Sequence, residues 1–142
     1  MMPSFQEGDY LIIDQISYRL RGPKRGEVIV FRSPEISSQR YIKRIIGLPG
    51  EEIEVKDNKV FIYKEETLIE LDESSYIASE IKTVGNVKIS LDEKEYFVLG
   101  DNRSVSSDSR KWGEVPEENI IGRVLFRLWP VTALAKIEAP AY

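Results

Sequence analysis

The chain has 142 residues, with 20 Lys and Arg against 24 Asp and Glu for a formal net charge of -4, and neither histidine nor cysteine. The missing residue types exclude a Ser-His-Asp triad, Cys-His nucleophiles, disulfides, c-type haem attachment and thiolate or imidazole zinc sites. Any general acid or base must then be Lys, Asp, Glu or Tyr. The acidic balance and the lack of a long basic run argue against a nucleic-acid partner, and no metal or cofactor is expected.

No apolar run approaches the length of a transmembrane helix. The opening Met1-Met-Pro-Ser-Phe5 lacks a charged segment followed by an apolar one, so it is no signal peptide, and it reads as the interior of a longer pattern. Residues 10–13 and 28–31 are short apolar runs rich in β-branched and aromatic residues and bounded by turn signals, as expected of strands. Between them, Arg19, Arg21, Lys24 and Arg25 read as a solvated basic loop. Residues 52–56 alternate strictly, and Asp57-Asn58 turns them into residues 59–63, which predicts a hairpin. Residues 64–88 are acidic and weakly periodic, as in a peripheral excursion between core strands. Residues 96–99 read as a buried strand and 124–126 as a further strand, and residues 116–120 as one helical turn opened by proline. The expected fold is mainly β, a folded, barrel-like antiparallel core over about 1–56 and 92–142 with a small inserted lobe over about 57–91.

Two stretches carry chemistry. The first is Tyr41-Ile-Lys-Arg-Ile-Ile-Gly-Leu-Pro-Gly50. Strand alternation puts Tyr41, Lys43 and Ile45 on one face and Ile42, Arg44 and Ile46 on the other. Burial of Lys43 between two bulky neighbours disfavours its ammonium form, and a neutral amine can take a proton from a serine hydroxyl. The same position also fits a lysine whose stem lies along apolar surface with its head in water. Arg44 reads as a paired or exposed charge on the opposite face. The second stretch is Gly100-Asp-Asn-Arg-Ser-Val-Ser-Ser-Asp-Ser-Arg110, a polar loop leaving a buried strand. Its composition also fits a surface turn.

Taken together, the chain resembles bacterial type I signal peptidase, the serine endopeptidase that removes signal peptides from exported proteins. Met1-Met-Pro-Ser-Phe5 with Gly8-Asp9 is similar to the end of that family's nucleophile motif. Arg25-Gly-Glu-Val-Ile-Val-Phe31 is similar to its next core strand, and residues 41–50 to the segment bearing the lysine base. Residues 100–110 followed by Trp112-Gly113 resemble its last motif, and residues 122–130 its closing strand.

The resemblance implies roles. Lys43 is the general base and Ser106 orients its amine. Asp108 and Arg110 form an ion pair that holds the loop, while Asp101, Asn102 and Arg103 brace the strand exit. Met1, Phe5, Leu11, Val30, Tyr41 and Ile42 line shallow pockets that accept Ala-X-Ala, although Leu11 and Val30 fit plain core packing equally well. The partners implied are the signal peptides of secretory preproteins and, through a missing N-terminal anchor, the membrane surface. The domain then works on the extracytoplasmic side of the cell membrane.

The family motif sets its nucleophilic serine immediately before the residue that aligns with Met1, so this sequence as given lacks it and is expected to be inactive. An oxyanion-hole serine falls upstream as well; such donors are worth roughly 100- to 1000-fold in rate. Ser4 does not substitute, since four extended residues displace it by roughly 13 Å. Two further readings stay open: a non-catalytic pseudopeptidase that keeps a peptide groove, and a self-cleaving repressor-type Ser-Lys domain. The second lacks the Gly-Asp-Asn-Arg loop. A carboxylate-only hydrolase has no distinctive acidic pair to support it.

Overall fold

A computed structural model of the chain describes residues 9–129 and 135–140. In chain order the strands are β1 (Tyr10–Asp14), β2 (Val28–Arg32), β3 (Arg40–Gly47), β4 (Glu52–Lys56), β5 (Lys59–Lys64), β6 (Thr67–Glu70), β7 (Val87–Ser90) and β8 (Glu95–Leu99). A short helix, α1 (Ser109–Trp112), precedes β9 (Val115–Pro116), β10 (Ile120–Trp129) and β11 (Ala135–Lys136). The expected helical turn is a single 3-10 turn at Glu117–Asn119, directly after Pro116.

Every ladder is antiparallel. The larger sheet runs β1-β10-β2-β3-β8-β9, with β11 added on β10, and the smaller runs β6-β5-β4-β7. The larger sheet is an open path among the described residues, so the core folds over without closing into a barrel. β2 lies at its middle. Val28, Ile29, Val30 and Phe31 are all buried, which is why the run is apolar at every position instead of alternating.

The smaller sheet begins at Glu52, ahead of the expected lobe boundary at 57. Alternation drives it: Ile53, Val55, Val60 and Ile62 point inward and are buried, while Glu52, Glu54 and Lys56 point out. Asp57 (φ 51°) and Asn58 (φ 63°) are both left-handed, the conformation a two-residue hairpin turn of matching twist requires. The buried face packs on Ile46, Phe97 and Leu99 of the larger sheet, so the two sheets share one core. The inserted region is therefore not peripheral. Its apolar residues complete the core beneath β3 and β8.

The basic loop before β2 also differs from expectation. Arg21 pairs with Glu27 at 2.5 Å, and Arg25 binds the buried Glu51 through two nitrogens at 2.8 and 2.7 Å. These arginines tie the connection into the sheet edge rather than lying free in solvent.

Gly47 marks where β3 passes beneath the smaller sheet. A Cβ there would lie 2.6 Å from Ile53 Cγ1 and 2.8 Å from Leu91 Cδ1. Gly47→Ala is expected to destabilise the fold by about 1–3 kcal/mol through overpacking, measured as a lowered urea midpoint with an unchanged slope.

Candidate active site

β3 delivers Lys43. As alternation requires, Tyr41 and Ile45 share its face and pack with Ile29, Phe31, Tyr96 and Val98. Ile42 packs on the other face with Val28 and Val30. The Lys43 side chain is half-buried, and among the described residues it forms no ion pair and no hydrogen bond. Its Nζ sits 5.6 Å from the centre of the Tyr41 ring. Burial pushes its pKa below the ordinary lysine value, opposed by the charges of Asp108 and Asp101.

Gly100, at the exit of β8, is the contact point between Lys43 and the polar loop. A Cβ on Gly100 would lie 2.1 Å from Ser106 Oγ and 3.6 Å from Lys43 Cδ. Only glycine leaves room for Ser106 to pack there, beside the Lys43 stem. Ser106 Oγ is buried and makes no hydrogen bond of ordinary geometry among the described residues, although its hydroxyl helps to hold the ionised Asp108 carboxylate. A hydroxyl so placed keeps acceptor lone pairs for an arriving donor. Lys43, Tyr41, Gly100, Asn102, Val105, Ser106 and Ser107 line a cleft of about 280 Å³.

The loop is closed by the fully buried carboxylate of Asp108. It accepts from the Gly100 N–H at 3.1 Å, from the Arg110 N–H at 3.3 Å and from the Arg110 guanidinium at 2.8 and 2.9 Å. Burial opposes its ionisation, but the bonds and charge of Arg110, the Gly100 N–H and the Ser106 hydroxyl outweigh this and hold its pKa below the usual carboxylate value. Asp108 also caps α1, and Ser109 Oγ accepts from the Val98 N–H at 3.0 Å, fastening the helix to β8.

On the other face of β3, Arg44 binds the fully buried Asp101 through Nε and Nη2 at 2.9 and 2.8 Å, and lies 4.2 Å from the centre of the Tyr76 ring. The Asn102 carbonyl accepts from the Ser106 N–H at 3.0 Å and shapes the turn before Ser106. Arg103, also fully buried, donates from Nε to the Gly100 carbonyl at 3.0 Å.

Other positions lie apart from this cluster. Leu11, Val30 and Ile42 come together in one apolar cluster on the face of the sheet away from Lys43. Met1, Ser4 and Phe5 lie outside the described residues. A larger hollow of about 400 Å³ is bounded by Glu27, Arg123, Lys136 and Glu138. Its charges are paired with one another or with Arg21, which leaves it without a free acid or base.

The profile of the family described as signal peptidase, peptidase S26, matches residues 1–129. The chain belongs to that family. It is 44% identical over 136 residues to a probable signal peptidase I-2 of Synechocystis sp., covering 92% of this chain and 60% of the relative. It is 40% identical over 148 aligned positions to a signal peptidase I of Leptolyngbya laminosa, covering 99% of this chain and 70% of the relative. The crystal structure of a signal peptidase I from Enterococcus faecalis V583 superposes with a TM-score of 0.59 at 31% identity, over 72% of this chain and 97% of that one. The chain thus spans 60% and 70% of the two sequence relatives.

Sequence reasoning missed Glu73, Tyr76, Thr83 and Ser109. Ser109 sits in the loop motif, but its pairing with Val98 follows from α1, which nothing in the polar composition announced. Glu73 and Thr83 lie in a stretch whose acidic, irregular pattern resembles a solvated loop.

Breaking the buried Arg44–Asp101 pair from one side leaves an uncompensated charge. Asp101→Asn is expected to cost about 3–5 kcal/mol in chemical denaturation, and the double replacement Arg44→Met with Asp101→Leu clearly less.

Proposed function

We propose that this chain is the catalytic part of a peptidase that cleaves signal peptides from exported preproteins, with Lys43 as its general base. The observation that carries this reading is the convergence at Gly100 of a half-buried lysine without an ion pair and a buried serine hydroxyl that accepts no hydrogen bond among the described residues. Family membership supplies the reaction class.

On this reading the nucleophile is the serine that the family motif sets directly before the position of Met1. Lys43 in its neutral form takes the proton from that hydroxyl as the oxygen attacks the carbonyl after a small residue. The resulting ammonium returns the proton to the leaving amine, the new N-terminus of the mature protein, and an acyl-enzyme remains. Lys43 then takes a proton from water, hydroxide attacks the ester, and the serine leaves with a proton restored. Ser106 Oγ accepts an N–H of Lys43, which turns the amine lone pair toward the nucleophile. Asp101, Asn102, Arg103, Asp108 and Arg110 hold the loop that delivers Ser106. No metal or cofactor enters these steps. The 142 residues alone are expected not to cleave.

The substrate lies along β3. Among the described residues, 40–43 pair with β2 alone, since β8 reaches only to Arg44. That leaves a free backbone edge beside Lys43 on which an extended peptide can add as a strand. Alternate substrate side chains then face opposite sides: Tyr41 on one, and Ile42, Val30 and Leu11 on the other. This arrangement explains how the lining positions can fall on both faces of one sheet and still serve an Ala-X-Ala preference. The site works at the outer face of the cell membrane, with the anchor upstream of Met1. No helix among the described residues is long and apolar enough to cross a membrane.

The test uses the chain extended upstream to include the serine, with a preprotein bearing Ala-X-Ala before the cut. Lys43→Ala is expected to lower kcat/KM by roughly 100- to 10,000-fold. In the unsubstituted enzyme, kcat/KM is expected to fall as pH drops through the lysine's lowered pKa, because the base acts only when neutral. Full cleavage by Lys43→Ala would sink the mechanism.

A further inference from the structure

Arg103 donates to more than Gly100. Its Nη1 and Nη2 bind both carboxylate oxygens of Glu73, at 2.7 and 2.5 Å, and Nη1 also reaches Thr83 Oγ1 at 2.5 Å. Glu73 and Thr83 belong to the inserted region, between β6 and β7. The guanidinium is fully buried, and Glu73 is its ion-pair partner. The Arg103 carbonyl in turn accepts from Arg110 Nη2 at 2.8 Å, and Arg110 Nη1 donates to the Val84 carbonyl at 2.7 Å. The inserted segment therefore grips the loop at two places, one of them Arg103, a single hydrogen bond from the Gly100 carbonyl, where Lys43 and Ser106 converge.

We propose that Glu73 is a positioning residue for the reaction: by neutralising and orienting Arg103 it fixes the Gly100 carbonyl, and through it the approach of Ser106 to Lys43. This rests on the reading of Lys43 as base. Glu73 touches neither the cleft nor the lysine, so it acts only through Arg103. With a neutral residue at 73, the buried guanidinium has reason to seek water or another carboxylate. Asp101, whose charge Arg103 also feels, is already held by Arg44. Rotation of Arg103 releases the Gly100 carbonyl, loosens the turn before Ser106 and lets water reach Lys43. Lys43 faces the carboxylates of Asp101 and Asp108 and the ring of Tyr41, and its lowered pKa depends on dehydration prevailing over those two charges. Added water moves that balance back toward the ammonium.

The experiment compares Glu73→Gln with the unsubstituted enzyme in the chain that includes the upstream serine, measuring kcat and KM across pH on the same preprotein. Thermal unfolding confirms that each protein is folded at the assay temperature. The expected result is a roughly 10- to 100-fold fall in kcat with KM little changed, and an acid limb of the pH profile moved to higher pH. Glu73→Asp, which keeps the charge, recovers part of the loss. A folded Glu73→Gln enzyme with unchanged kcat and acid limb, or with a loss confined to KM, overturns the proposal. Should Glu73→Gln fail to fold, Thr83→Val, which removes one bond to Arg103 at constant shape, decides: the same split at smaller size supports the proposal and an unchanged profile overturns it. Lys43→Ala runs alongside; activity persisting there removes the base assignment itself, separately from the role of Glu73.

Discussion

The carboxylate of Asp108 joins the two ends of the loop from which the rest of the site is built. One oxygen holds the Gly100 N–H at the strand exit, and both hold Arg110 at the other end. With its ends fixed, the intervening turn has one place to put Ser106, above the hydrogen-only face of Gly100. A protonated carboxyl there would lose the charge-assisted bonds to Arg110, and burial alone would favour that loss. The guanidinium prevents it, and the buried group stays ionised.

The same arrangement governs the charge felt by Lys43. Asp101 and Asp108 both stand near enough to favour its ammonium, yet each is already neutralised by a bidentate arginine. Their residual pull is too weak to offset the dehydration of the amine. Arginine suits this task because its planar fork binds both carboxylate oxygens and does not lose its proton. A lysine in place of Arg44 or Arg110 would hold a carboxylate less completely and leave more negative potential for Lys43. A lowered lysine pKa thus emerges in a site with two acidic residues beside it.

Much of this was legible in the sequence, for local reasons. The alternation of residues 41–46 set Lys43 and Arg44 on opposite faces, and the apolar run at 28–31 marked β2 as a strand. Asp57-Asn58 announced a tight hairpin. Each signal involves neighbours a few positions apart. The partners of Arg103 carried no such signal, because Glu73 lies 30 residues upstream among other carboxylates and becomes special only when the smaller sheet packs on β3 and β8. The reading of that region as a peripheral lobe failed on this point. Its polar residues face inward at the few positions where buried arginines meet them. Arg21 and Arg25 were misread for a similar reason, since their acceptors, Glu27 and Glu51, are buried by sheet formation. For the loop itself, the roles proposed for Ser106 and Asp108 came from the family motifs, whereas composition alone fitted a surface turn equally well.

The account depends on Lys43 being held dehydrated and readily neutral by its surroundings, before any substrate or nucleophile is present. That claim can be measured on the 142-residue chain itself. With lysine labelled in its side chain, and the Lys43 signal assigned by its loss in Lys43→Arg, nuclear magnetic resonance follows each amine through a pH titration. Lys43 should lose its proton at clearly lower pH than Lys56 and Lys88, whose hydrogen bonds to Glu54 and Glu52 push them upward. A Lys43 signal that titrates together with those two would contradict the account, since an amine so fully protonated has no lone pair to offer as a base.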